Sequence, residues 1–271
     1  AYTAYAYFRW VDDTLDAATS SQPERRDFLQ RQIYLLETAS RGEPATGLYA
    51  EEQMLFELAG QAQDSDCGLY IYLHNMMSVM AFDVERRGRT ITRAELASYT
   101  HNLASAVTEA MHYFIGHDCF APHGALRYRA VTAAHMAHML RDTFDDLQAG
   151  YYNIPREVLE AGGFTPDAVH SEPYRTWVRQ RVLLAQAHFK SGHAYLLQVG
   201  SWRCRLAGLV YAARFETLLA TITREDYYLR PLYADQQGLG AGLRMGKALL
   251  SSLFPRRGVK NEPQASPAPR R

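Results

Sequence analysis

The chain carries the same acidic pattern twice, and this pattern is its clearest chemical feature. The first copy is DDTLD at residues 12–16 and the second is DTFDD at residues 142–146. In each copy the outer aspartates are four residues apart, so on an α-helix they lie one above the other on a single face. Mg2+ is commonly held by one or two carboxylates together with phosphate oxygens. The spacing therefore indicates a divalent-metal and polyphosphate site, and a solvated acidic turn is the alternative for either copy taken alone.

The flanks of both copies predict helices. An aromatic run, YAYFRWV at residues 5–11, precedes the first copy, and AAHMAHMLR at residues 133–141 precedes the second. After the second copy, Gly150 and Pro155 should end the helix. Acids on buried helices need partners, and Arg9 and Arg141 are near enough in sequence to supply them.

These residues resemble those of the squalene and phytoene synthases, which join two prenyl diphosphates head to head. The resemblance is carried by Tyr5-x3-Arg9-x2-Asp12-Asp13-x2-Asp16 and by Leu140-Arg141-Asp142-x3-Asp146-x3-Gly150-x4-Pro155. Between them, Asp83 and Tyr99 stand where the family's middle segment has the same residues. The resemblance covers about residues 1 to 230 and weakens after residue 160.

The resemblance implies an all-α, single-domain bundle around a central apolar tunnel, with Mg2+ held between the two acidic motifs at its mouth. The implied metal ligands are Asp12, Asp16, Asp142 and Asp146. The implied diphosphate-binding residues are Arg9, Arg141, Asp13, Asp145 and Arg230, and the implied catalytic residues are Tyr5, Tyr99, His135 and His138. We expect the helical domain to span residues 1–254 and residues 255–271 to form a disordered basic tail.

Several residues depart from the family pattern. His135 and His138 replace a usual Gln and Asn, and either could bind metal or diphosphate, remove a proton, or be a ring histidine satisfied by hydrogen bonds. Tyr151 stands in place of an Arg, and Thr108 and Glu109 replace small residues that line the tunnel. These differences bear on the identity of the product.

The ends of the chain carry three further expectations. Nothing matches the Ser/Lys-rich phosphate-binding helix that precedes the first acidic helix in the family, so we expect that segment to be missing. Residues 243–254 are apolar on one side and basic on the other, which fits either an anionic membrane surface or a last helix packed on the core. His117, Cys119 and His123 lack a fourth ligand at a recognised interval, so we predict no zinc site there.

Composition narrows the class of protein without identifying it. The 271 residues are 47% hydrophobic, and 29 basic residues balance 29 acidic ones, so no nucleic-acid footprint is expected. Helical periodicity dominates, as at residues 94–112 and 174–197. Three unpatterned cysteines, Cys67, Cys119 and Cys204, favour a reduced cytoplasmic protein over a disulfide-bonded one. Peripheral membrane contact through the C-terminal basic segment is the alternative localisation.

The sequence thus predicts a Mg2+-dependent transferase that condenses two prenyl diphosphates through a cyclopropyl intermediate. Nothing in it indicates NADPH. A second hypothesis is a terpene synthase acting on one prenyl diphosphate, with His135 or His138 removing the terminal proton. A third, from another class, is a non-catalytic paralogue that serves as a binding or assembly module.

Overall fold

The computed structural model describes residues 1–17, 21–62, 64–116 and 124–233. Over these ranges it contains α-helices and no β-strand, and the isolated bridge between Ile91 and Pro155 is its only β contact. The predicted all-α class is therefore confirmed. The helices are α1 (Tyr2–Asp16), α2 (Gln22–Ser40), α3 (Ala50–Gly60), α4 (Gly68–Arg86), α5 (Arg93–Ile115), α6 (Ala125–Arg141), α7 (Thr143–Ala149), α8 (Arg156–Gly162), α9 (Glu172–Leu196) and α10 (Trp202–Arg224).

Local sequence sets several helix ends. Thr92 begins α5 with a capping box, in which its hydroxyl accepts from the Glu95 amide and the Glu95 carboxylate accepts from the Thr92 amide. Gly150 ends α7 with φ +86°, a left-handed conformation that suits glycine. The periodic segments at residues 94–112 and 174–197 correspond to α5 and α9.

The spacing of the second acidic copy predicts one continuous helix, but the structure places this copy at a junction between two helices. Asp142 separates α6 from α7 and has φ −93° and ψ 10°. The Thr143 hydroxyl donates to the carbonyl oxygen of Met139 at 3.0 Å, and such back-bonding often bends helices. The Asp146 amide still donates to the Asp142 carbonyl at 2.8 Å. The two carboxylates therefore keep a nearly helical relation across the junction.

Apolar side chains form two main cores. Helices α1 to α4 bury one around Tyr7 and Leu73, and α6 to α10 bury the other around Phe189. A smaller cluster that includes Val79 and Met139 joins α4, α5 and α6.

In the part of the chain that the structure describes, α10 is the one helix that is long and apolar enough to cross a membrane. In this fold 44% of its most apolar window is buried, and Phe215 and Leu219 belong to the core with α6 and α9. A core helix passes the same test, so the feature is weak evidence for a span. The predicted segments at residues 243–254 and 255–271, and His117, Cys119 and His123, lie outside the described residues.

Candidate active site

The two acidic copies face a common cavity of about 200 Å3 bounded by α1, α2, α4, α5, α6 and α7. Its lining surface is polar and apolar in equal parts, and the apolar side chains are Leu15, Met80, Val84 and Met139. The polar lining residues are Asp12, Asp16, Arg25, Asp83, Arg86, Arg87, Tyr99, His135, His138, Asp142, Asp146, Tyr151 and Asn153. All four predicted metal ligands are among them.

On the α1 side, Asp12 and Asp16 lie one helical turn apart at the cavity. Burial raises the pKa of Asp12, and the neighbouring charge of Asp16 raises it further. Arg9 is exposed and binds mainly to Asp13, with Nη2 at 2.6 Å from Oδ1, whereas its Nη1 is 3.5 Å from Asp12. The α1 carboxylates at the cavity are thus only weakly compensated.

On the opposite side, Asp142 is strongly compensated. Arg141 donates to both of its carboxylate oxygens, at 2.6 and 2.8 Å, and His138 Nδ1 lies 2.9 Å from Oδ2. Burial opposes ionisation of Asp142, but the hydrogen bonds from His138 and Arg141 outweigh it and lower its pKa. Arg141 Nη2 is also 2.7 Å from His138 Nε2. Because an arginine can only donate, Nε2 accepts and Nδ1 carries the proton given to Asp142.

Asp146 has no such cation. Its Oδ2 accepts from the Asn153 amide at 2.6 Å, and no arginine, lysine or histidine of the described chain lies within salt-bridge distance of it. Burial, followed by the charge of Asp142, raises the pKa of Asp146 to about 6. One carboxylate of the second copy is therefore poised to gain from an added positive charge.

Arg86 is the central buried cation of this site. It donates through Nε to Asp83 at 2.6 Å and through Nη1 to Asn153 at 2.7 Å, and its guanidinium carbon lies 4.7 Å from the ring centroids of Tyr99 and Tyr151. The Tyr99 hydroxyl donates to Asp83 at 3.1 Å. Burial raises the pKa of both Asp83 and Tyr99. Arg86 thus links the carboxylate of α4 to the segment after α7.

Sequence reasoning identified neither Arg86 nor Asn153. Arg86 stands three residues after Asp83 on one helix, and this i,i+3 spacing could have marked it as the partner of that acid. Asn153 lies 67 residues from Arg86 in a loop and carries no local signal.

His135 lines the cavity and is only 8% exposed. Its Nε2 is buried and has no hydrogen-bond partner within the described residues, and its ring lies 5.3 Å from that of Tyr99. Burial, helped by the charge of Arg86, lowers the pKa of His135 to about 3. The ring is therefore neutral at pH 7, and Nε2 is available to a ligand.

The structure does not bring every predicted site residue to the cavity. Those outside its lining are Tyr5, Arg9, Asp13, Arg141, Asp145 and Arg230. Tyr5 is 65% exposed on α1, and Arg230, after α10, binds Glu225 at 2.8 Å. Arg141 reaches the cavity only through its contacts with Asp142 and His138.

Comparison with known proteins identifies the family. Residues 1–237 match the sequence profile described as squalene/phytoene synthase, which covers most of the chain. The chain belongs to the squalene/phytoene synthase family. It is 27% identical over 172 residues to presqualene diphosphate synthase of Zymomonas mobilis subsp. mobilis, and this match covers 61% of the chain. The matched part spans about half of that relative's length, 54%.

A solved structure supports the same family. The chain superposes with a TM-score of 0.67 and 26% identity on squalene synthase HpnC from Alicyclobacillus acidocaldarius. The match covers 84% of this chain and 84% of that one. The bundle described above is therefore a squalene/phytoene synthase fold.

The carboxylates of this squalene/phytoene synthase family member fit Mg2+ by their chemistry. No three His, Cys, Asp or Glu side chains in the described ranges form a metal-binding group by themselves. Mg2+ rarely needs such a protein cage, because it keeps water and takes one or two carboxylates plus substrate phosphates. Burial first, and then the charge of a neighbouring aspartate, raises the pKa of Asp12 and of Asp146, and a bound cation would offset both effects.

Proposed function

We propose that this protein is a Mg2+-dependent transferase that condenses two prenyl diphosphates head to head. The observation that carries the proposal is that the outer aspartates of both acidic copies line one cavity, two with weak compensation on α1 and one without a cation on α7. The names of the two relatives, a presqualene diphosphate synthase and a squalene synthase, support the same reaction class.

Asp12, Asp16, Asp142 and Asp146 would hold Mg2+, which when bound supplies positive charge to the departing diphosphate. Arg86 would add a fixed positive charge beside it. Its Nη2 makes only a 3.5 Å contact with the Tyr99 hydroxyl, so it is the least engaged of the three guanidinium nitrogens. A guanidinium held by two aromatic rings is well placed to orient an anionic oxygen.

The bond changes are few. The allylic C–O bond of the first substrate breaks, and its electron pair leaves with diphosphate. The double bond of the second substrate attacks the resulting allylic cation. Loss of a proton from the second substrate then closes a cyclopropane, so the products are a cyclopropylcarbinyl diphosphate, one diphosphate and one proton.

His135 is our candidate for accepting that proton. Its ring is neutral at pH 7, its Nε2 has no partner in the described structure, and it lies in the cavity wall beside Tyr99. The same nitrogen would serve a terpene synthase that loses a proton from a single-substrate cation. His138 is less suited, because Arg141 already donates to its Nε2.

The test is to incubate the purified protein with Mg2+ and farnesyl or geranylgeranyl diphosphate and to measure both diphosphate release and extracted products. We expect a product with twice the carbon number of the substrate. Asp12→Ala and Asp142→Ala should each lower its formation at least about a thousandfold, equivalent to about 4 kcal/mol of transition-state stabilisation. Asp27→Ala, at an exposed position on α2, is the matched control and should keep full activity.

Other results would favour the other hypotheses. A product with the carbon number of one substrate would favour a terpene synthase. Absence of Mg2+-dependent diphosphate release with either substrate would favour the non-catalytic paralogue.

A further inference from the structure

A second and larger cavity, of about 770 Å3, lies between α5, α6 and α9. In the described residues, no side chain that lines it also lines the acidic cavity. On α6 the two cavities take different faces, since Thr132 and Met136 face this one whereas His135 and Met139 face the other. The second cavity is thus separate from the site proposed for prenyl diphosphates.

The wall of the second cavity is largely apolar. Leu96 on α5, Met136 on α6, and Val158 and Trp177 on the far side contribute its hydrocarbon and aromatic surface. Leu96, Met136 and Trp177 are each less than 8% exposed in the whole protein, so they belong to a rigid part of the fold. A wall of this kind suits an alkyl or alkenyl chain.

Three arginines line this cavity, and two of them, Arg129 and Arg181, are half-buried, whereas Arg93 is exposed. Arg181 on α9 lies with its guanidinium carbon 5.8 Å from the centroid of the Trp177 ring, and no carboxylate of the described chain pairs with it. Burial lowers the pKa of Arg181 to about 10. Arg129 on α6 has Nη1 at 2.7 Å from His188 Nδ1, which is a neutral acceptor and not a counter-ion.

These charges are unusual because partly buried cations normally pair with carboxylates. Desolvating a charge costs several kcal/mol unless an opposite charge or strong hydrogen bonds compensate it. A further polar group adds to the deficit, since the buried Thr100 hydroxyl in the same wall has no hydrogen-bond partner. An anion in this cavity would satisfy all three groups.

We propose that the cavity between α5, α6 and α9 binds an amphipathic organic anion. Its head, a carboxylate or a phosphate, lies between Arg129 and Arg181, and its apolar chain lies along Leu96, Met136 and Val158. Both heads match the planar fork of an arginine, so they share one chemistry. The site does not depend on the proposed reaction, because it contains none of the residues assigned to it.

The experiment is isothermal titration calorimetry of the full chain in EDTA with decyl phosphate and decanoate, each below its critical micelle concentration, and with decanol below its solubility limit. Without divalent cations the acidic cavity should repel anions. We expect at least one of the two anions to bind and decanol to bind at least tenfold more weakly. The tighter anion identifies the headgroup. Binding of neither anion, or equal binding of decanol, would overturn the proposal.

Variants assign the binding to this cavity. Arg181→Met should weaken the bound anion at least tenfold, whereas Arg179→Met, at an exposed arginine two residues away, should leave its affinity unchanged. Ala97→Trp adds a side chain at an exposed position of the lining and should block binding without removing a charge or a core residue. Unchanged affinity in a folded Arg181→Met or Ala97→Trp protein, verified by circular dichroism, would refute the assignment.

Discussion

The bundle contains two charged clusters, one between α5 and α6 and one at the acidic cavity, and their charges are balanced in opposite ways. At the far end from the acidic cavity, Glu109 and Arg127 are 1% and 2% exposed and share two hydrogen bonds of 2.6 and 2.7 Å. Tyr128 also donates to Glu109, at 3.0 Å. At the acidic cavity, Asp146 has no cation of its own, and its pKa is raised.

The contrast separates a carboxylate that the fold already compensates from one that a bound cation would compensate. Although burial opposes ionisation of Glu109, the hydrogen bonds and charge of Arg127 lower its pKa below the ordinary value. For Asp146 burial acts in the same direction, but no cation reverses it. A paired buried carboxylate is already compensated, so that losing its partner destabilises the fold, whereas an unpaired one destabilises the fold until a cation binds.

The largest expected effect comes from breaking the balanced cluster. Glu109→Gln should lower the free energy of unfolding by about 3–5 kcal/mol, because it leaves Arg127 buried without a counter-ion. Asp146→Asn, measured without Mg2+ at pH 7, should leave that free energy unchanged or raise it, because it removes a charge that Asp142 repels. Urea denaturation of both variants measures the two effects.

A double variant keeps this prediction testable if Glu109→Gln does not fold. Glu109→Leu combined with Arg127→Met removes both charges and should recover most of the lost stability, since apolar replacement of a buried pair is often neutral or stabilising. The comparison between the clusters fails if Glu109→Gln and Asp146→Asn shift the free energy of unfolding in the same direction.

Adding Mg2+ should make the acidic cavity resemble the balanced cluster. At a Mg2+ concentration one hundred times its Kd, binding to the folded state alone raises the free energy of unfolding by about 2.7 kcal/mol. Differential scanning calorimetry of the wild type with and without MgCl2 measures the shift, and Asp146→Asn should reduce it. NaCl at the same ionic strength is the control, because screening also weakens repulsion between carboxylates. An equal shift with NaCl would show that no specific site is filled.

A smaller effect is expected from Arg86, a buried arginine in the lining of the acidic cavity. Arg86→Met removes the partner of Asp83 and should lower the free energy of unfolding by about 1–3 kcal/mol, less than Glu109→Gln. The cost is smaller because the pKa of Asp83 is already raised, so that this acid can take up a proton. Adding Asp83→Asn to Arg86→Met should recover part of the loss in urea denaturation. Additive losses would contradict direct coupling of the two residues.

The sequence predicted the parts of this site that rest on local spacing. Two aspartates four residues apart, preceded by helical periodicity, were sufficient to place Asp12 and Asp16 on one face of α1. The same rule predicted that Asp142 and Asp146 share one face, and both line the cavity although the rule missed the break between α6 and α7. That break depends on the Thr143 hydroxyl bonding back to α6, which competes with helix propagation in a way that spacing does not reveal.

The sequence could not predict the parts that rest on tertiary contacts. Asn153 reaches both Arg86 and Asp146 from a loop, and its position depends on how the chain returns after Gly150. The sequence shows Glu109 where the family has small tunnel-lining residues. Its pairing with Arg127, 18 residues away on the next helix, depends on how α5 packs against α6 and could not be predicted from spacing. The resemblance to the family predicted the positions of the motif residues. It did not predict the buried ion pair between Glu109 and Arg127, which is a feature of this chain.

The smallest expected effect is at Glu95, which lies in the first turn of α5 and is more exposed than Glu109 on the same helix. Hydrogen bonds from Arg89 and then from the Thr92 amide lower the pKa of Glu95 to about 2. Because this folded-state pKa lies below the ordinary value of 4.5, the ionised carboxylate stabilises the fold above about pH 4.5, and the contribution is lost as pH falls through 2. Glu95→Gln should therefore cost about 1 kcal/mol or less at pH 7 and almost nothing near pH 2.

Urea denaturation at pH 7, 4 and 2.5 measures this dependence, with Glu57→Gln, at an exposed position on α3, as the matched control. The Glu95→Gln difference should shrink steadily with falling pH, whereas the control should show little difference at any pH. A loss at Glu95 as large as that at Glu109 would mean that burial is not what separates the two carboxylates, because both bind an arginine and only Glu109 is shielded from water.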